Sequence, residues 1–236
     1  MKKSLLIILF VSNLSAFSTT NVQLLYGTFN DNSYVYDTKN GGKTTITLER
    51  YGSYEYFDMY MFADYAIADD KFKYHDHKTD LYGEFSPRAN LGKLSSTDLS
   101  FSFVKELYLA FQYNAGSDYH AYLYGFGSDL NVLGFNVFGL NVYKKNQNIG
   151  KNTHQLSLNY DSKKIYEMFH LNGFVDWTGY DFLAQNQFLL DMSKPFHIDN
   201  LEIGAEWHYY RQKALNLNFN APVNSNALQA MIKYSW

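Results

Sequence analysis

At 236 residues, with 46% hydrophobic and only 18% charged side chains, the chain carries enough apolar surface for one compact unit and few charges for a water-soluble one. Its formal net charge of −3 leaves no Lys/Arg surplus to neutralise phosphates, which argues against a nucleic-acid partner. It has no cysteine, so stability must come from packing and backbone pairing, and its 19% aromatic content, led by Tyr, suits surfaces that are half apolar and half wet.

In chain order, residues 1–18 read as a secretory signal peptide: Lys2 and Lys3 precede an apolar run from Leu5 to Val11, and Ala16-Phe17-Ser18 supplies a small-x-small cleavage pattern. A transmembrane helix needs about 20 apolar residues, and neither this run nor any later one reaches that. Residues 19–236 remain as a single domain. A chain without a spanning helix crosses a bilayer only as a closed sheet, with residues alternating between lipid and lumen. That alternation predicts strands over residues 20–30, 44–52, 54–67, 81–91, 107–113, 118–129, 133–144, 152–160, 165–177, 185–193, 201–209 and 228–236. The fold class expected is therefore all-β: a monomeric transmembrane antiparallel β-barrel of about twelve strands, an even number as bacterial barrels require.

Charged groups assign the faces, because Arg or Lys towards lipid costs about 2–4 kcal/mol at mid-depth. In residues 54–65 the inward set is Asp58, Tyr60, Phe62 and Asp64, with Phe57, Met59, Met61 and Ala63 outward. Residues 81–91 turn Glu84, Ser86, Arg88 and Asn90 inward, and Pro87 should interrupt the ladder. Glu106 and Gln112 oppose Leu107, Leu109, Phe111 and Tyr113, whereas in residues 119–128 either face fits, leaving Tyr122, Tyr124 and Phe126 open. Apolar parity switches near Phe138-Gly139, a bulge signal. His170, Asn172, Phe174 and Asp176 face inward in the segment ending at Trp177, as do Glu202, Glu206 and His208 against Leu201, Ile203, Ala205, Trp207 and Tyr209. The last segment sets Leu228, Ala230, Ile232, Tyr234 and Trp236 against Gln229, Lys233 and Ser235. A terminal aromatic on such a strand resembles the signal read by bacterial barrel-assembly machinery, which places the chain in outer-membrane lipid. With both termini periplasmic, residues 51–54, 128–131 and 161–164 are compact turns and residues 66–79, 144–152 and 212–225 longer outer loops; residues 93–103 are long for the periplasmic side.

Three blocks carry a family resemblance. The strongest is EFSPRANLGKLSSTDLSFSFVKELYLAFQYN from Glu84 to Asn114, with its E-x-x-PR, KL-x-x-TDLSF and KE-x-Y elements. YFDMYMFADY from Tyr56 and GSDLNVLGFNVFGLNVYKK from Gly127 flank it. Together they resemble the nucleoside-specific channel-forming proteins of the Tsx type and the related outer-membrane proteins called OmpK. The resemblance implies a narrow twelve-stranded barrel, monomeric, through which nucleosides or similar small molecules diffuse passively and selectively; within it Pro87, Thr97 and Asp98 sit at a turn as architectural residues.

Such a path needs aromatic faces for a base and hydrogen-bonding groups for its edges and the sugar. The candidate pore lining is Asp58, Tyr60, Phe62, Asp64, Glu84, Arg88, His170, Phe174, Asp176, Glu202 and Glu206, with Phe62 and Phe174 as stacking platforms. The competing reading is that small barrels fill their interiors: Glu84, Arg88, Glu202 and Glu206 would form a salt-bridged plug, and the two Phe residues plain packing. A non-selective or structural barrel, or a fatty-acid-type channel, stays as an alternative function. No cofactor, metal or catalytic residue is expected. His75-Asp76-His77 lacks the further ligands and supporting partners of a metal site, and Ser157 and His154 fall on opposite parities, so no nucleophile and base are assembled.

Overall fold

Each period-two segment becomes a strand that pairs with its neighbours in the chain, and the first and last strands pair with each other. In the computed structural model, which describes residues 17–33, 36–73, 76–213 and 223–236, the described residues form a closed antiparallel barrel of twelve strands. They are β1 (Phe17–Thr28), β2 (Gly42–Ser53), β3 (Phe57–Ala68), β4 (Thr79–Asn90), β5 (Val104–Ala115) and β6 (His120–Leu130). The second half contributes β7 (Phe135–Gln147), β8 (Thr153–Ser162), β9 (Phe169–Thr178), β10 (Asp181–Asp191), β11 (Leu201–Gln212) and β12 (Val223–Ser235). Two short helices, α1 (Leu91–Ser95) and α2 (Ser193–Phe196), lie in connections. The seam joins β1 to β12 from Asn21↔Ser235 to Gly27↔Gln229, extended by reciprocal bonds between Thr20 and Trp236 of 3.0 and 2.8 Å. The leader expected over residues 1–18 lies outside the described residues except for Phe17 and Ser18, which open β1.

The two faces separate as the alternation requires. On β12, Leu228, Ile232 and Tyr234 are exposed while Gln229, Met231 and Lys233 are buried; on β1, Val22, Leu24 and Tyr26 point out and Asn21, Gln23 and Leu25 point in. An apolar outer band of this extent suits lipid rather than water. Exposed aromatics gather near its two rims, with Phe17, Phe57, Phe169 and Tyr234 at the end that carries the termini and Tyr26, Tyr65, Tyr113 and Trp177 at the other. Tyr122, Tyr124 and Phe126 belong to the outer surface, at 55%, 42% and 66% exposure, so β6 turns Ala121, Leu123 and Asp129 inward instead.

Pro87, lacking an N–H, sits in a gap of the β4–β5 ladder: the register breaks off at Phe85↔Tyr113 and resumes at Arg88↔Ala110. The expected bulge in β7 exists but lies at Asn136, between the pairs Phe135↔Ser162 and Val137↔Asp161, two residues ahead of the parity switch. Close strand approach needs Gly125, where a Cβ would fall 1.9 Å from the carbonyl oxygen of Val142.

Strand bounds differ from the sequence reading where turns intrude. Residues 163–168 are a turn with Tyr166 and Glu167 at φ of 52° and 57°, so β9 starts at Phe169 and not at 165. Conversely β10 begins four residues earlier than expected, because the Thr178 hydroxyl accepts from the N–H groups of Tyr180 and Asp181 and closes a tight connection. Loop lengths also fail to sort by side: residues 116–119 and 179–180 at the far end are short, whereas residues 91–103 at the terminal end hold α1, capped by Asn90 accepting from the Lys93 N–H at 3.0 Å. Thr97 and Asp98 lie in that connection, Asp98 accepting from the Ser100 N–H.

Candidate functional site

Inside the barrel, a cavity of about 480 Å³ runs from the far end to mid-depth, within the range of small-molecule sites. Of the eleven inward residues singled out in the sequence, seven line it: Tyr60, Phe62 and Asp64 on β3, Glu84 on β4, Phe174 and Asp176 on β9, and Glu206 on β11. The other four, Asp58, Arg88, His170 and Glu202, also point inward but lie nearer the terminal end, outside that lining, in two ionic clusters.

The first cluster is centred on Arg88. Its guanidinium donates through Nε and Nη2 to the two carboxylate oxygens of Asp58 at 2.9 and 2.7 Å and through Nη1 to Asp129 at 2.9 Å. It lies 4.1 Å from the ring centroid of Tyr108, whose hydroxyl donates to Glu106 and Asp129. Asn90 adds a 2.6 Å bond to Glu106. Four strands are thus tied by one planar cation. In the second cluster His170 stands between Asp161 on β8 and Glu202 on β11, at 3.2 and 2.8 Å. Arg88 and Glu202 therefore have ionic partners on other strands, whereas among the described residues no plug joins them to Glu84 or Glu206.

Glu84 and Glu206 are held by neutral donors. Glu84 accepts from the Tyr82 hydroxyl at 2.6 Å and from the amides of Gln112 and Asn114, both at 2.8 Å. Glu206 accepts from Gln187 and Gln229 at 3.0 and 2.9 Å, and Gln187 also reaches Gln23. Asp64 accepts from Thr47, and Asp176 from Ser157, each at 2.6 Å. Ser157 therefore serves a carboxylate, and His154 is on the outer face. Hydrogen-bonded in this way, each carboxylate is oriented by uncharged donors.

The aromatic side chains are placed among these groups. The Phe62 ring lies 6.0 Å from both Tyr60 and Tyr82, tilted by 48° and 51°. Phe174 lies opposite Gln185 of β10 and Asn159 of β8 in register, two residues from Asp176. Sequence reasoning did not single out Tyr82, Gln187, Lys43 or Lys145, and named Gln229 only by its parity; all five line the cavity. Tyr82 shares the parity of Glu84, a signal that could have found it; Lys145 was hidden because Lys144-Lys145 offers a charge to each face. Of the His75-Asp76-His77 triplet, His75 lies outside the described residues, and Asp76 bonds Lys39 and Lys71 at 3.1 and 2.9 Å.

A closed barrel with a lipid-compatible outer band and a polar lumenal cavity defines a channel of the bacterial outer membrane. Residues 24–218 match the family described as "Nucleoside-specific channel-forming protein, Tsx", and the chain belongs to that family. Outer membrane protein OmpK of Vibrio parahaemolyticus is 29% identical over 161 residues, which cover 66% of this chain and 60% of that protein. The nucleoside-specific channel-forming protein Tsx of Escherichia coli O157:H7 is 30% identical over 114 residues, 44% of this chain and 39% of that protein. The chain thus spans less than two thirds of the length of these relatives. In fold it is similar to the KdgM porin, with a TM-score of 0.54 at 10% identity over 92% of this chain and 99% of the other.

Proposed function

We propose that the barrel lets nucleosides diffuse selectively across the outer membrane, with no energy coupling and no chemical step. The observation that carries this reading is the co-location of Phe62 and Phe174 with Asp64, Glu84, Asp176 and Glu206 around one cavity. Aromatic faces take a base of any identity, while oriented carboxylates and amides accept from ring N–H, amino and ribose hydroxyl groups. Stacking on one aromatic is worth about 1–3 kcal/mol in nucleic-acid binders, strong enough to favour a nucleoside over a pentose and weak enough to release it. Arg88, Asp58, His170 and Glu202 hold the wall below the cavity, and their part in solute passage is secondary.

Liposomes containing the purified barrel test this by uptake of nucleosides against free pentoses and amino acids of similar size. Faster nucleoside uptake is expected; equal rates would leave a non-selective pore. Phe62→Ala and Phe174→Ala should each lower the competition of thymidine with adenosine flux. Unchanged competition in both single variants removes these rings as platforms.

A further inference from the structure

Part of the connection between β1 and β2, described over residues 29–33 and 36–41, folds into the mouth of the barrel. Phe29, Ser33, Asp37 and Thr38 are all at most 1% exposed, and Tyr36 lines the cavity. The Tyr36 ring meets His208 and Tyr210 of β11 at centroid distances of 4.5 and 4.8 Å. Its phenol is held above the usual tyrosine range, first by burial and then by the charges of Asp181 and Glu84, which belong to β10 and β4 on other parts of the wall. Tyr36, Asp181 and Glu84 line the same cavity, so the ring reaches into the space that those strands share.

The segment is pinned from three sides. Asp37 accepts from its own loop at the Ser33 N–H, 3.0 Å, and from the Ser225 hydroxyl of β12, 2.6 Å, and it faces Lys73 of the next loop at 3.6 Å. Lys43 of β2 donates to the Tyr36 carbonyl at 3.4 Å with its ammonium 3.3 Å from the Phe29 ring centroid. On the β12 side Asn224 and Asn226 donate their N–H groups to Asn32 and Asp31. A loop needing only to join two strands has no use for so many anchors, two of them, at Asp37, buried.

We infer that the described residues of this connection, 29–33 and 36–41, form the constriction of this channel, with Tyr36 the side chain that sets the size of solute admitted and Asp37 the positioning residue that keeps it inward. This goes beyond the nucleoside reading, since the constriction acts on whichever solute passes. Planar-bilayer recording of the full-length barrel tests it. Tyr36→Ala should raise single-channel conductance about twofold or more, because the narrowest segment limits flow, and should admit larger neutral polyols in a swelling assay. Tyr36→Trp, which keeps the aromatic packing, should lower conductance. Asp37→Ala should imitate Tyr36→Ala, and Asp37→Asn, which can still accept from the Ser33 N–H through its one oxygen and donate its amide N–H to the Ser225 hydroxyl, should restore the parental value. Conductance and polyol cut-off unchanged in Tyr36→Ala and Tyr36→Trp overturn the inference; if Tyr36→Ala does not assemble, an unchanged Tyr36→Trp overturns it alone. Because selectivity for nucleosides over pentoses is read separately, either proposal can fail while the other stands.

Discussion

Replacing Arg88 by methionine separates a structural tie from a solute contact. The side chains of Arg88, Asp58 and Asp129 are 11%, 8% and 23% exposed, so the substitution strands two mostly buried carboxylates. Removing one partner of a buried pair costs about 3–5 kcal/mol, and losing the contact with the Tyr108 ring adds roughly 0.5–2 kcal/mol. With a urea dependence of about 2–3 kcal/mol per M for a chain of this size, Arg88→Met should lower the unfolding midpoint in lipid vesicles by roughly 1–3.5 M. Trp fluorescence reports the transition. Adding Asp58→Asn should recover part of the loss, since one stranded charge is then removed. An unmoved midpoint together with altered nucleoside selectivity would refute the reasoning and return Arg88 to the solute path.

Two further outcomes are expected. Gly125→Ala, which forces a Cβ against the Val142 carbonyl, should destabilise by about 1–3 kcal/mol as overpacking does, read in the same urea titration. Burial raises the pKa of Asp37 against the opposing effects of Ser225, Ser33 and Lys73, and Asp31 pushes it further up. The inward loop thus holds this proton more tightly than a released one: its preference for the inward state is full below the ordinary carboxylate value and fades as pH rises through the raised one. Single-channel conductance should fall on acidification, and the part of that fall due to Asp37 should vanish in Asp37→Asn.

Much of this was legible in the chain because the barrel imposes a period of two. Where charges lie on one parity, as with Asp58 and Asp64 or Glu202 and Glu206, the inward face follows at once, and all eleven chosen residues point inward. Where charge is absent from both parities, as from Tyr122 to Phe126, alternation alone cannot choose, and the outward placement emerged only from pairing with β5 and β7. Which carboxylates meet a cation was equally hidden: Arg88 and Glu84 are four residues apart on one face, yet Arg88 finds Asp58 and Asp129 on other strands while Glu84 finds amides. Cross-strand partners depend on register, which turn geometry at Thr178 and the bulge at Asn136 help to fix. The inward placement of Phe29, Ser33 and residues 36–38 had no periodic signal at all, since its anchors are single contacts to β12 and to the neighbouring loop.

Those anchors also bear on the order of assembly. The bond from Ser225 to Asp37 and that from Asn226 to Asp31 join residues 188 and 195 positions apart in the chain. Contacts of such separation form late, after the loop closures that bring the ends together. The first hairpin can be complete while its connecting segment still lacks half its footing, and that footing arrives with the final strand. Sealing the sheet and narrowing its mouth are consequently one event: a barrel still open at the β1–β12 edge is a wider conduit than the finished one.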